Sequence, residues 1–164
     1  MASPAVAISM EEYQRTSFEW DAEWVDGEVI HRPLPNVDHA NALAAIGAAF
    51  SASVKTSRLY PAPQSRIRVA PRKWRIPDLA IFADEKAAEG VIPFGAVEIL
   101  SPDDSMSTYI DKFDEFAAAG VESIWLVDPA HGRIQRYQNG SLLHVDAIEF
   151  PDRSFRLTAA EIFA

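Results

Sequence analysis

Between residues 76 and 128 short runs of Val, Ile, Leu and Phe are interrupted by single acids. Pro77-Asp78 opens one run, residues 77–82, and Glu98 sits inside another, residues 96–100. Runs of this length and β-branched or aromatic content read as central strands covered on both faces. An ionised carboxylate there costs several kcal/mol unless it is paired or bound to a cation. Glu98 is therefore expected to meet a metal, or else to reach a core arginine or solvent from near the end of its strand. Asp78 follows a proline at the start of its run, where aspartate also serves as a turn cap.

The remaining pattern supplies the frame. Ser9-Met10-Glu11-Glu12 matches a capping box and predicts a short first helix. Residues 18–32 read as a β-hairpin about Asp26-Gly27. The alanine-rich segment 37–57 places Leu43, Ile46, Gly47, Phe50 and Val54 on one helical face. Residues 65–69 alternate, with Ile67 and Val69 on one side and Arg66 and Arg68 sharing the other. A second long helix over 103–119 is stopped by Gly120. Residues 123–127 form a buried strand, Asp128-Pro129 a turn, and 133–137 and 141–145 a hairpin through Asn139-Gly140. Thr158 to Glu161 is a further capping box before a last short helix. The predicted order αββαβββαβββα gives an α/β chain of the α+β kind, a mixed sheet flanked by helices, with Asp78 and Glu98 side by side. The length suits one domain over residues 1–164.

Charge limits the partners. The net charge is −9, so affinity for a polyanion is expected to be weak and local. Arg58, Arg66, Arg68, Arg72, Lys73 and Arg75 form an acid-free basic stretch, which reads first as a solvated strand and loop. The absence of cysteine excludes disulfides and thiolate metal sites and fits a reducing compartment; the expected location is the cytoplasm. Residues 1–9 have no basic start followed by an apolar core, and no stretch is long enough for a membrane span.

At roughly 100° per residue, Met106, Tyr109, Ile110, Phe113, Phe116 and Ala117 share a helical stripe, while Asp111, Asp114 and Glu115 point away. Lys112 falls on the border. It can lay its stem over apolar neighbours with the ammonium in water, or aim the ammonium at Glu98. Magnesium or manganese takes hard oxygen ligands, usually one or two carboxylates plus water. Asp78, Glu98 and the backbone carbonyl of Ile99 would supply three ligands, and Lys112 would stabilise charge accumulating on a phosphoryl group. Removing Asp78, Glu98 or Lys112 is expected to cripple such a reaction and spare folding.

Several of these segments recur together. Pro77-Asp78, Glu98-Ile99-Leu100-Ser101-Pro102, Asp111-Lys112, Ala119-Gly120-Val121 and Trp125-Leu126-Val127-Asp128-Pro129 closely resemble the bacterial restriction endonucleases of the Uma type, within the PD-(D/E)XK nuclease superfamily. Glu23-Trp24-Val25-Asp26-Gly27-Glu28 and His39 extend the resemblance over most of the chain. It implies a restriction-endonuclease-like fold, Asp78 and Glu98 as metal ligands, Lys112 as the catalytic lysine and DNA as the substrate. One departure is informative: Leu100 stands two places after Glu98, where the superfamily has lysine, so the lysine must come from the helix. Phe116 also stands where the family commonly has tyrosine. His39 is then a candidate proton carrier or phosphate contact, against the plainer reading of a solvated histidine at a helix start. Glu23 and Glu28 are candidates for the outer metal shell, against surface hairpin charges. Trp74 and Trp125 are expected to pack in the core rather than stack on bases.

The expected activity is magnesium-dependent hydrolysis of DNA phosphodiesters. An alternative of another class, motivated by the acidic balance, is a nuclease fold retained as a nucleic-acid-binding or regulatory module with little hydrolysis. A homodimer is the assembly that would bring two sites to two strands.

Overall fold

Side-chain alternation in two neighbouring strands decides which way the acids face. The computed structural model describes residues 6–164; residues 1–5, part of the segment read as lacking an export signal, lie outside the described residues. Strand β6 (Leu79–Phe82) pairs antiparallel with β7 (Gly95–Ile99), Leu79 opposite Val97 and Ile81 opposite Gly95. Leu79, Ile81, Val97 and Ile99 enter one core layer, and Ala80, Phe82 and Ala96 the other. By the same period of two, Glu98 belongs with the second set, and Asp78, one place ahead of β6, continues it across from Glu98.

These strands lie inside a six-stranded sheet. Its other members are β3 (Tyr60–Pro63), β8 (Ser123–Asp128), β9 (Arg133–Gln138) and β10 (Ser141–Val145), in the order β10-β9-β8-β7-β6-β3. Within this sheet β7 and β8 are the parallel pair, joined by helix α3 (Met106–Ala119). Parallel neighbours need such a crossover, and it lays Tyr109, Phe113 and Phe116 over Ala80, Ala96, Ile124 and Leu126. Gly120 ends the helix at φ 107°, in the left-handed region.

The opposite face is covered by α2 (Val37–Ser57), the hairpin β11 (Ala147–Phe150) and β12 (Phe155–Thr158), and α4 (Ala159–Ile162). Phe50 of α2 stacks on Phe155 with ring centroids 4.0 Å apart and meets the edge of Phe150. Trp125 packs in this layer and Trp74 in another core cluster, as expected.

A four-stranded sheet stands apart from the first, in the order β2 (Glu28–His31), β1 (Ala22–Val25), β5 (Lys73–Arg75), β4 (Ile67–Ala70). Helix α1 (Met10–Arg15) closes it through Tyr13, which packs with Trp24 and Trp74. Ser9 caps α1 at the backbone of Glu12, and Asp26-Gly27 makes the β1–β2 turn with φ values of 51° and 98°.

The single predicted sheet is thus three, and four strands were not anticipated: β3, β5, β11 and β12. The strand expected over 65–69 runs instead over Ile67–Ala70, leaving Arg66 outside it. Arg66 does not share a surface with Arg68, because its guanidinium reaches Asp21 at 3.1 Å and lies 4.5 Å from the Tyr13 ring centroid. The helix predicted from residue 103 begins at Met106, and Ala117 faces solvent rather than the apolar stripe. Strand β3 contains Pro61 and Pro63. The N–H of Gln64 donates to Asp78 O, so by alternation the nitrogens of residues 60 and 62 face β6 and the two prolines face outward. There the missing donors cost the sheet nothing. No helix among the described residues is long and apolar enough to cross a membrane.

Phe50→Ala removes a fully buried ring that pins α2 to the β11–β12 hairpin, and is expected to cost about 3–5 kcal/mol. Urea unfolding followed by circular dichroism checks this. A loss below about 1 kcal/mol would mean that the layer holds without the ring.

Candidate active site

Asp78 is anchored from three directions. Its Oδ2 accepts a 2.8 Å hydrogen bond from the Ile99 N–H and lies 3.1 Å from His39 Nε2, while its Oδ1 accepts from Arg32 Nη2 at 2.5 Å. Each contact comes from a different element: the end of β7, the first turn of α2, and the residue after β2. Glu98, beside it on β7, meets the same Arg32 nitrogen through Oε2 at 3.6 Å. Lys112, one helical turn after Tyr109 on α3, brings Nζ to 2.7 Å from Glu98 Oε1 and 2.9 Å from Glu23 Oε1, and donates to the Ile76 carbonyl at 3.1 Å. The border lysine therefore aims inward.

The pairing continues away from this point. Arg75 on β5 donates to Glu23 Oε2 at 3.0 Å and to Glu115 Oε2 at 2.7 Å, and Lys73 reaches Glu115 Oε1 at 3.1 Å. Glu23 also accepts the Ile76 N–H at 2.9 Å. Asp78, Glu98, Lys112, Arg32, Glu23 and Arg75 border a cleft of about 810 Å³ between the two larger sheets, whose wall includes Trp20, Leu34, Ser101 and Thr108.

Burial and partners set the protonation. Burial pushes the Glu98 carboxyl up to about 8, with the Asp78 charge acting in the same sense and the Lys112 ammonium and Arg32 opposing. Burial also works to raise Asp78, but the His39 hydrogen bond, the Arg32 charge and the Ile99 N–H outweigh it and hold that carboxyl well below its ordinary range. Glu23 is lowered too, since Lys112, the Ile76 N–H and Arg75 overcome its burial. Lys112 is raised despite burial because Glu98 and Glu23 face it.

A divalent cation can be tested against this donor set. Asp78 Oδ1 and Glu98 Oε2 already bracket one positive nitrogen. Glu98 Oε1 is buried without a hydrogen bond, since Lys112 approaches it closely but off the hydrogen-bonding axis. The Ile99 carbonyl accepts from the Tyr109 hydroxyl at 3.2 Å and retains a second lone pair. These are hard oxygens, as magnesium prefers. Among the described residues no group of three or more His, Cys, Asp or Glu is arranged to hold a metal. A cation here would rest on two carboxylates, with backbone and water completing its shell.

Asp78, Glu98, Lys112, His39 and Glu23 thus meet at one cleft. Glu28 does not: it is exposed on β2, opposite Val25. Glu23 pairs with Lys112 and Arg75 instead of facing Asp78. His39 is buried rather than solvated, with its Nδ1 unpartnered. The basic stretch is largely neutralised by acids from other elements, Arg66 by Asp21, and Lys73 and Arg75 by Glu115. Arg32 and Arg75 were missed by sequence reasoning. No local signal marked them: Glu23 joins Asp78 and Glu98 as a third buried acid only once the hairpin has docked, and only then is one lysine too few. Because breaking a buried pair typically costs about 3–5 kcal/mol, deleting Asp78, Glu98 or Lys112 is expected to cost stability as well as rate.

Glu98, raised in the folded state, contributes stability that is present below its ordinary range and lost as pH rises through about 8. Asp78, lowered, contributes stability that is present above its ordinary range and is lost only as pH falls into acid. With a chelator present, the stability of Glu98→Gln relative to wild type is therefore expected to improve from pH 5 to about pH 8 and to level off above it, in thermal unfolding. A difference constant over that range would exclude a protonated Glu98.

The family model described as "Putative restriction endonuclease", Uma2, matches residues 10–159. Among solved structures, the chain is similar to a protein from Anabaena variabilis described as "a putative nuclease belonging to DUF820", with a TM-score of 0.78 at 20% identity over 95% of this chain and 97% of that one. At that identity the likeness is one of fold. No curated protein matches significantly. With the family match spanning nearly the whole chain and the layers superposing on a restriction-endonuclease-like fold, this chain belongs to the Uma2 family.

Proposed function

We propose that this chain is a divalent-metal-dependent nuclease that hydrolyses phosphodiester bonds in DNA at the Asp78–Glu98–Lys112 cleft. The observation that carries the reading is the convergence of two buried carboxylates from facing strand positions with an ammonium 2.7 Å from one of them. Asp78 Oδ1 and Glu98 Oε2 both turn to one cationic nitrogen, Arg32 Nη2, the position a divalent guest would take. Asp78 and Glu98, with the Ile99 carbonyl, would hold magnesium or manganese, which when bound supplies polarisation of the phosphoryl group and an acidified water.

The chain's own residues do the rest. Lys112 is held by Glu23 and the Ile76 carbonyl with its charge fixed at the cleft, so it can stabilise negative charge growing on the phosphoryl oxygens without reorganising. The Ile99 N–H holds Asp78 to the strand beside it, and His39 restrains the other side of the same oxygen. His39, buried with Nδ1 unpartnered, is placed to pass a proton at the cleft wall.

A second reading, a nuclease-fold module that binds or regulates and hydrolyses little, is favoured by one observation. Arg32 fills the gap between the two carboxylates, so the pair is already satisfied within the protein. Calorimetric titration with Mn²⁺ separates the two: heat that vanishes in Glu98→Gln supports the nuclease, and no heat supports the module.

Asp78→Asn, Glu98→Gln and Lys112→Met keep side-chain volume near that of the original, and each is expected to lower the cleavage rate of single- or double-stranded DNA by about 10²-fold or more. Folding is checked for each variant by circular dichroism. EDTA is expected to abolish cleavage and Mn²⁺ to restore it. Equal rates in wild type and all three variants would assign the activity to a contaminant.

A further inference from the structure

Arg32 is unlike the other cations of the cleft. Lys112 is fixed on a long helix by two carboxylates and a carbonyl, and Arg75 sits on a central strand between Glu23 and Glu115. Arg32 instead follows β2 in a non-helical, non-strand segment beginning Pro33-Leu34-Pro35, and its contacts to the acids run through one nitrogen, Nη2. Its side chain is 22% exposed, against 3% for Asp78 and 1% for Glu98. It reaches in from the cleft, where water already touches it.

That single nitrogen lies 2.5 Å from Asp78 Oδ1 and 3.6 Å from Glu98 Oε2. We propose that the Arg32 guanidinium is a resident substitute for the divalent cation, occupying the position between Asp78 and Glu98 and exchanging with the ion when it arrives. The inference rests on the metal-dependent reading of this site and adds an internal competitor to it. Two physical points support it. A cation and a guanidinium cannot share the gap, because a like charge at that separation is repelled most strongly where water is scarce. Without either, the buried Asp78 carboxylate would lose its only arginine partner while facing a second acid, so the gap favours a cation. The guanidinium keeps the metal-free site from collapsing or unfolding, and its partial exposure at the cleft lets it withdraw toward solvent. Arginine suits this role better than lysine, being more weakly hydrated and able to keep other donors on water while one nitrogen is engaged.

The test is Mn²⁺ binding to the full chain, followed by calorimetry and by the electron paramagnetic resonance of free Mn²⁺, for wild type, Arg32→Gln, Arg32→Lys and Glu98→Gln. Arg32→Gln is expected to bind Mn²⁺ about tenfold more tightly than wild type or better, with Arg32→Lys between them. The same variant is expected to unfold at lower temperature without metal and to gain more from Mn²⁺ than wild type does. Should Arg32→Gln fail to fold alone, refolding on addition of Mn²⁺ supports the exchange and failure to refold overturns it. Glu98-dependent binding in wild type that Arg32→Gln leaves unchanged or weakens overturns the exchange and leaves the nuclease reading standing. No Mn²⁺ binding in wild type or Arg32→Gln overturns both together. A Mn²⁺-soaked crystal in which Arg32 still bridges Asp78 and Glu98 also overturns the exchange.

Discussion

From Lys73 to Asp78 basic and acidic side chains alternate along one unbroken line, Lys73, Glu115, Arg75, Glu23, Lys112, Glu98, Arg32, Asp78, and His39 Nε2 closes it 3.1 Å from Asp78. The line begins on the four-stranded sheet, crosses α3, enters the six-stranded sheet and ends on the first turn of α2. Every layer that borders the cleft supplies a member. Because Glu23, Asp78 and Glu98 are buried, each needs its neighbours in place, and no layer can shift without stranding a charge. The apolar layers hold the sheets and helices together; the charged line fixes how they sit across the cleft.

This arrangement also explains why the groups at the cleft are not independent. Lys112 is aimed by Glu23, Glu23 is tied to Arg75, and Arg75 is held by Glu115 near the surface. A substitution at Glu115 would therefore be felt at Glu98 through intermediate partners. Sites whose side chains are locked by further hydrogen bonds on helices and strands keep their geometry better than sites built on loops, and most of this one follows that plan. Arg32 is the exception.

How much of this the sequence disclosed depends on the kind of signal. The short apolar runs of β6 and β7, the Asp26-Gly27 and Asn139-Gly140 turns, and the apolar face of α3 each have a local cause, and each was readable. Strand β3 was hidden by its prolines, which argue against a strand unless the strand lies at a sheet edge, and edge position is a tertiary fact. Strand β5 is three residues long, with lysine and arginine flanking Trp74, too short for alternation to register. The β11–β12 hairpin is joined through Pro151–Arg153 rather than through a familiar two-residue turn. At the cleft, Asp78, Glu98 and Lys112 stood out because they interrupt apolar patterns. Arg32 interrupts nothing, and the register that carries it to Asp78 exists only after the hairpin has docked.

The outward-facing prolines of β3 have a consequence beyond their own strand. A pleated sheet can be lengthened sideways only where a free ladder of donors and acceptors remains, and Pro61 and Pro63 remove the donors from one flank. The other flank, β10, keeps its full complement and exposes Leu143. Among the described residues the sheet is therefore blunt along β3, and any sideways extension of its ladder would have to run along β10.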